Sequence, residues 1–305
     1  MVDNPGVGEN LQDHLVTGLV YEAMPGVPTV EDLKKPVVME LLISEYLKNP
    51  VGPLVNNLTS STYMPYCDLL DDVSTLQETV EAKLPASHLS SNTGFAKQMK
   101  IHKKRLLSHV DCVAWLFPYP GGASFSKPDY GTGLWDYSDP DNYLAFAVSL
   151  THPLSRGSIH IQSSNVNDHP SIDPRYLSHP ADIDVLAKGL KLIDSKLAYT
   201  EPLASKLKDG PDGRKKLMPS YGSFSPDNVE EYVQKYSQTN WHILGTCSML
   251  PQKDGGVVDP TLRVYGTKNL RVIDASIIPL QVQGNIQTAV YAVAEKSADL
   301  IKEAW

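Results

Sequence analysis

The sequence has no excess of positive charge, no C-x-x-C pair and no long apolar run, and each absence removes a class of function. Lysine and arginine number 27 against 35 aspartates and glutamates, a formal charge of −8, which argues against a nucleic-acid partner that would need a basic face. The one basic cluster, KQMKIHKKR at 97–105, interleaves Met99, Ile101 and the following Leu106 among its charges, and reads as an amphipathic helix with a solvated face. Cys67, Cys112 and Cys247 lie far apart, so neither a disulfide framework nor a zinc knuckle is expected. That usage suits a reducing compartment. The nine histidines are scattered without paired ligand spacing, and no metal site is expected. No apolar run approaches the roughly 20 residues of a membrane span, and the first residues show no charged-then-apolar signal pattern. A cytoplasmic location is the expectation, with no membrane partner. The triplet Asn57-Leu58-Thr59 matches a glycosylation sequon, a pattern common by chance.

A dinucleotide-binding loop is missing as well. The opening stretch MVDNPGVGENLQDH carries Gly6 and Gly8, but Leu11 stands where G-x-G-x-x-G requires its third glycine, and only five residues, including Pro5, precede Gly6. Such a loop works because a buried strand delivers the chain into a tight glycine turn facing a helix N-terminus.

What is present is a globular composition, 41% hydrophobic and 20% charged, with no internal repeat. PVVMELLISEYLKN reads as a helix, and residues 71–110 read as helical with a break at LPASHLSSNTG. DCVAWLFPYP and NYLAFAVSLTHP read as strands, flanking a polar loop at 121–141. GSIHIQSS alternates as a half-buried strand through Ile159 and Ile161. Pro180 followed by Ile183, Leu186, Leu190, Ile193 and Leu197 marks a helix. SFSPDNVEEYVQKY marks another, with Ser225 expected as its cap and Pro226 in the first turn. GVVDPTLRVYGTKNLRVIDASIIP reads as an extended pair around a turn at Gly266, and a closing helix runs from about 286 to 304. The pattern is α+β with mixed strands.

Two stretches could carry chemistry. In NWHILGTCSM, His242 follows a tryptophan and runs into a Gly-Thr-Cys turn. An imidazole exchanges a proton near neutral pH, so His242 is a candidate general base, and equally a satisfied core or surface histidine. In VIDASIIPLQVQGNIQT, Asp274 leaves an apolar strand and Asn285 stands at the mouth of the last helix. Asn285 reads either as a helix cap or as an amide donor to a substrate oxygen.

These blocks occur in a fixed order: NPGVGENLQDH, SRGSIHIQSSNVNDHPSIDPRYLSHPADI, WHILGTCSM, GVVDPTLRVYGTKNLRVIDASIIP and GNIQTAVYAVAEKSADLI. Together they resemble the C-terminal half of glucose-methanol-choline (GMC) flavin oxidoreductases, in the manner of fungal alcohol and glucose oxidases. The resemblance implies that NPGVGENLQDH lies mid-chain in a longer enzyme, and that the FAD-binding Rossmann motif is absent here. It further implies His242 as the base that takes the alcohol proton, and Asn285 as the second residue that hydrogen-bonds the substrate oxygen. Asp274 and Ala275 would approach the FAD diphosphate and ribityl chain, Gly284, Ile286 and Gln287 the flavin edge, and Asn10 the cofactor's vicinity.

By the same resemblance, residues 16–235 form a substrate-binding domain with a mainly antiparallel sheet backed by helices. Residues 1–15 and 236–305 are then the discontinuous remainder of the FAD domain. FAD is the expected cofactor, bound weakly or not at all without the missing half. An exposed apolar face implies an N-terminal partner chain or a homo-oligomer. Trp115, Phe117, Tyr119, Trp135 and Tyr137 suggest an aromatic or apolar small-molecule substrate, though core packing explains aromatics equally well. Three functional readings stay open: the C-terminal portion of an FAD-dependent oxidoreductase acting on CH–OH groups, a flavin-independent redox-neutral enzyme (cyclase, dehydratase or isomerase of secondary metabolism) on a truncated scaffold, and a non-catalytic fragment.

Overall fold

The computed structural model describes residues 2–55, 60–125, 141–211, 213–218 and 224–304. The sequon at Asn57 and the aromatics Trp135 and Tyr137 lie outside the described residues. In chain order the elements are β1 (Leu15–Glu22), α1 (Pro36–Lys48), β2 (Thr62–Pro65), α2 (Leu76–Lys83), α3 (Gly94–Leu106), β3 (Cys112–Tyr119), β4 (Tyr143–Leu150), β5 (Ser158–His160), β6 (Ser171–Asp173), α4 (Pro180–Ser195), β7 (Asp209–Gly210), β8 (Gly213–Arg214), β9 (Lys216–Met218), α5 (Val229–Tyr236), β10 (Gln238–Thr239) and α6 (Gln287–Lys302). The fold is α+β, a mainly antiparallel sheet backed by helices.

The main sheet runs β10-β1-β4-β3-β2, with β9 also on β1, and every pairing in it is antiparallel. All eight residues of β1 are buried because both faces of the strand are covered. Strand alternation sends Leu15, Leu19 and Tyr21 into the core shared with α4 and α5, and Val16 and Val20 to a second cluster with Phe125, Tyr143, Ala145 and Ala147. Gly18 is required there: a Cβ would lie 2.6 Å from the Phe125 ring and 2.5 Å from the Phe146 carbonyl. On the other side α4 crosses β1, β3 and β4, burying Leu186, Leu190 and Ile193. Each such side chain contributes about 1.5–3 kcal/mol. Pro180 opens α4 and the His179 side chain accepts from the Ala181 N–H. A third, separate cluster gathers Val257, Val258, Leu262 and Ile277.

Four expectations are corrected. The helix after Ser225 begins at Val229 with Asn228 at its N-cap, because the Asn228 side chain accepts from the Ser225 N–H and Pro226-Asp227 form a turn. Residues 257–273 make single bridges, Val258 to Val264 and Arg263 to Arg271, rather than a strand pair. Asp259 Oδ1 there accepts from Thr261 and Arg263 and curls the chain. The strand at Ile159 stops at His160 and leaves Ile161 87% exposed, since β5 pairs only with β6 in a separate ribbon. Finally, Ile286, not Asn285, occupies the N-cap of α6, without a side-chain cap bond.

Candidate active site

The segment from Asn10 to His14 seats two distant parts of the chain. Its backbone bridges Leu11 to Gly157 and Gln12 to Leu244. The Asn10 amide donates to Ser248 Oγ and the Pro279 carbonyl, both at 2.9 Å, and its oxygen accepts from Arg156 Nε at 2.9 Å. Gln12 donates to the Pro279 carbonyl at 3.1 Å and accepts from the Gln281 N–H at 3.1 Å. The close approach of this segment to the loop after His242 depends on Gly245, at φ +98°, where a Cβ would lie 2.3 Å from the Asn10 carbonyl.

Asp13 and His14 hold His242. Asp13 Oδ1 accepts from the His242 N–H at 2.9 Å, while Oδ2 accepts from Tyr176 at 2.7 Å and from Thr239. Burial raises the Asp13 carboxyl pKa, outweighing these donors, which pull it down. The His242 carbonyl accepts from Gln281 Nε2 at 2.8 Å. The preceding residue, Trp241, sits at φ +56° with its N–H donating to Thr239 Oγ1. The His242 ring meets His14 edge-on, centroids 5.0 Å apart, with the two Nδ1 atoms 2.8 Å apart. His14 is fully buried, and its Nε2 lies 2.9 Å from both the Thr151 and Val282 carbonyls. The His242 ring is half-buried, and its Nε2 has no hydrogen-bond partner among the described residues. Burial lowers its pKa.

The remaining expected residues take different positions. The Asn10 side chain is engaged inside the protein on three partners. Asp274 is exposed and caps the short turn Ala275–Ile277, accepting from the Ser276 N–H and hydroxyl. That turn is tied to the loop after His242, since Ser276 and Ile277 carbonyls accept from the Cys247 and Met249 N–H groups. Gly284 sits at φ +75°, where a Cβ would lie 2.7 Å from the Tyr63 hydroxyl. Asn285 and Gln287 are exposed, and the first turn of α6 holds no acidic residue. Val282, three residues before Asn285, contacts His14 directly. An apolar cavity of about 450 Å³ lined by Met64, Leu116, Phe146, Ile193, Leu197 and Leu203 contains none of these residues.

Sequence reasoning missed Gln12, Asp13, His14 and Gln281. A signal was available: three consecutive polar residues, Gln12-Asp13-His14, directly precede a strand buried on both faces, so they too are buried and must be hydrogen-bonded. No group of three or more metal-ligating side chains occurs among the described residues, and no helix among them is long and apolar enough to cross a membrane.

Three histidines make the fold sensitive to acid. Burial holds His14 to about 3 and His152 to about 4, and pushes His102 well below its usual value. Unfolded, each titrates near pH 6.5. Below that pH the unfolded chain binds protons that the folded chain refuses, so stability present above pH 6.5 is lost as pH falls toward 4. Together these three histidines are expected to make the protein about 4 kcal/mol less stable at pH 5.5 than at pH 7.5, and the raised Asp13 carboxyl works against this only in more acid solution. Urea unfolding at the two pH values checks it, and equal midpoints would rule it out.

Comparison with known proteins adds a family match, a sequence relative and two solved structures. A sequence model described as GMC oxidoreductase matches residues 153–294. Dehydrogenase citC of Monascus ruber is 34% identical over 319 residues, covering 99% of this chain and 48% of its own length. Among solved structures, formate oxidase of Aspergillus oryzae aligns with a TM-score of 0.75 and 26% identity, over 99% of this chain and 48% of that one. A fungal aryl-alcohol oxidase aligns with a TM-score of 0.74 and 25% identity, over 100% and 49%. The chain spans about half the length of the curated relatives it matches.

Proposed function

The chain belongs to the GMC oxidoreductase family and corresponds to the C-terminal half of its members, and from that premise we propose that it supplies the catalytic base of an FAD-dependent oxidoreductase acting on a CH–OH group. One observation carries this reading. His242 is held through its backbone N–H, its carbonyl and its ring Nδ1, while Nε2 has no partner among the described residues. A nitrogen so presented takes the hydroxyl proton of a substrate as the carbinol hydride departs, leaving a carbonyl product. Asn285, exposed at the entry of α6, offers its amide to the same substrate oxygen and stabilises its developing negative charge. FAD, when bound, is the hydride acceptor.

The residues present fit one end of that cofactor. The uncapped N-terminus of α6, with exposed Gln287 and no acid in its first turn, favours negative charge at the flavin edge, with Gly284 and Ile286 leading the chain into it. The Asp274-Ala275 turn, anchored beside the His242 loop, is assigned to the ribityl side, and Asn10 to holding this surface from beneath. The ADP end lacks a seat among the described residues: the sheet is antiparallel throughout, so it offers no strand–glycine turn–helix cradle. The separate cluster around Val258 and Ile277 supports assigning 1–15 and 236–305 to the flavin side and 16–235 to the substrate side. Helix α6 buries only Ser297 among its sixteen residues and leaves Tyr291 65% exposed, which favours a covering FAD-bearing partner domain. Trp115, stacked on Tyr63 at 5.8 Å and tilted against Phe117 at 4.7 Å, together with Tyr119, favours an aromatic substrate.

The test is spectroscopic and then kinetic. After addition of FAD and desalting, the chain alone is expected to keep no flavin absorption bands. Joined to an ADP-binding half, it is expected to keep them and to oxidise alcohols. A flavin-loaded assembly that turns over no alcohol would sink the reading and turn attention to redox-neutral chemistry at His242.

A further inference from the structure

We propose that His14 is a positioning residue that selects the tautomer of His242, forcing its proton onto Nδ1 and leaving Nε2 bare to accept. The geometry works inward from two carbonyls. His14 Nε2 lies 2.9 Å from the Thr151 carbonyl and 2.9 Å from the Val282 carbonyl. Carbonyl oxygens only accept, so this nitrogen carries a hydrogen that it shares between them. A second proton would make His14 a cation in a fully buried position with no carboxylate on its ring among the described residues, and burial holds its pKa at about 3. Its Nδ1 is therefore a lone pair. That lone pair faces His242 Nδ1 at 2.8 Å, a distance that requires a hydrogen between them. Only His242 can supply it. Neutral imidazole has one N–H, so His242 Nε2 is left unprotonated.

The arrangement opposes the preference of a free histidine side chain, whose neutral form favours hydrogen on Nε2. Without His14, the nitrogen presented to a substrate would more often be a donor, the wrong polarity for a base. The pair also ends the proton path. Once Nε2 takes a proton, His242 still donates through Nδ1, and the His14 hydrogen points at carbonyls that cannot pass it on. The proton must leave by Nε2, the way it came. Asp13 does not enter this exchange, because its carboxylate is engaged by the His242 backbone N–H, Tyr176 and Thr239. His152, the other titratable group near His14, has its Nδ1 on the Gln281 carbonyl.

The tautomer is independent of the function proposed above; only its catalytic meaning rests on that function. Long-range proton–nitrogen NMR of the full chain, labelled with ¹⁵N-histidine and held at pH 8, reads the two nitrogens of each ring without cofactor or turnover. His242 is expected to show a protonated-type Nδ1 and a bare-type Nε2, and His14 the reverse. In His14→Leu the acceptor is gone, and the His242 pattern is expected to shift to protonated Nε2. His14→Gln can donate its amide to the two carbonyls and accept at Oε1, and is expected to retain the wild-type pattern. A wild-type His242 protonated on Nε2 would overturn the proposal, as would a His14→Leu spectrum unchanged from wild type. If the leucine variant does not fold, the wild-type and glutamine spectra still decide. An inactive His242 with the expected tautomer would refute the function and leave this inference standing.

Discussion

Replacing His242 by Ala is expected, on the function proposed above, to lower the rate of alcohol oxidation by the FAD-loaded assembly with an ADP-binding half about 1,000-fold, the usual scale for loss of a positioned general base. The loss should fall on kcat more than on KM, because in the proposed role Nε2 acts on the proton in flight and contributes little to ground-state binding. The loop itself should stay in place. Asp13 and Gln281 hold residue 242 by its main-chain N–H and carbonyl, and alanine keeps both. What is lost structurally is the donor to His14 Nδ1, leaving a buried acceptor unpaired at a cost of about 1–3 kcal/mol. The thermal midpoint therefore separates the two effects, a modest drop beside a large kinetic one. The pH profile carries a sign as well. Only neutral His242 accepts a proton, and burial lowers its pKa, so wild-type activity should persist to lower pH than an ordinary histidine would allow. A variant within tenfold of wild type would remove His242 from the reaction.

Replacing Arg156 by Ala is expected to cost about 4 kcal/mol of stability, the range of mutations that break a buried polar network. The guanidinium donates to five acceptors: Asn10 Oδ1, Gln98 Oε1, the Pro153 and Ser155 carbonyls and His102 Nε2. Burial lowers its pKa to about 10, so it remains a cation near neutrality. Truncation strands all five partners in a largely closed site. Lys cannot substitute, because a single ammonium lacks the planar fork that reaches Asn10, α3 and the 153–155 carbonyls together. Arg156→Lys should recover less than half of the loss. On the proposed function activity should fall too, since Asn10, anchored by Arg156, holds Ser248 of the loop after His242 and the Pro279 carbonyl. Chemical denaturation at pH 7.5 measures the first effect, with a thermal midpoint lower by about 6 °C. A change under 1 kcal/mol would mean that these contacts are dispensable.

The same contrast between local and long-range information explains which features were legible in the sequence. Helix α4 was readable because Pro180 and the spacing of Leu186, Leu190 and Ile193 are local signals. Helix α1 was readable as a helix, yet it buries no residue, since periodicity reports a shape and not what covers it. The cap at Ser225 failed because Asn228 captures that residue's own N–H. The extended pair at 257–273 failed because an aspartate side chain, Asp259, outcompetes the ladder for the backbone.

The family order of its blocks, the identity of His242 as the base candidate and the lack of a dinucleotide cradle were determined by the sequence alone, because each is a matter of which residues occur and in what order. The partnership of His242 with His14, 228 residues away, and the seating of both C-terminal segments on Asn10, Gln12 and Asp13 were decided only by the tertiary structure. Hydrogen bonds between residues so far apart leave no trace in spacing or periodicity. They exist because β1 is buried on both faces and carries three polar side chains into the interior at its start, where each must find a partner from whichever part of the chain has folded against it.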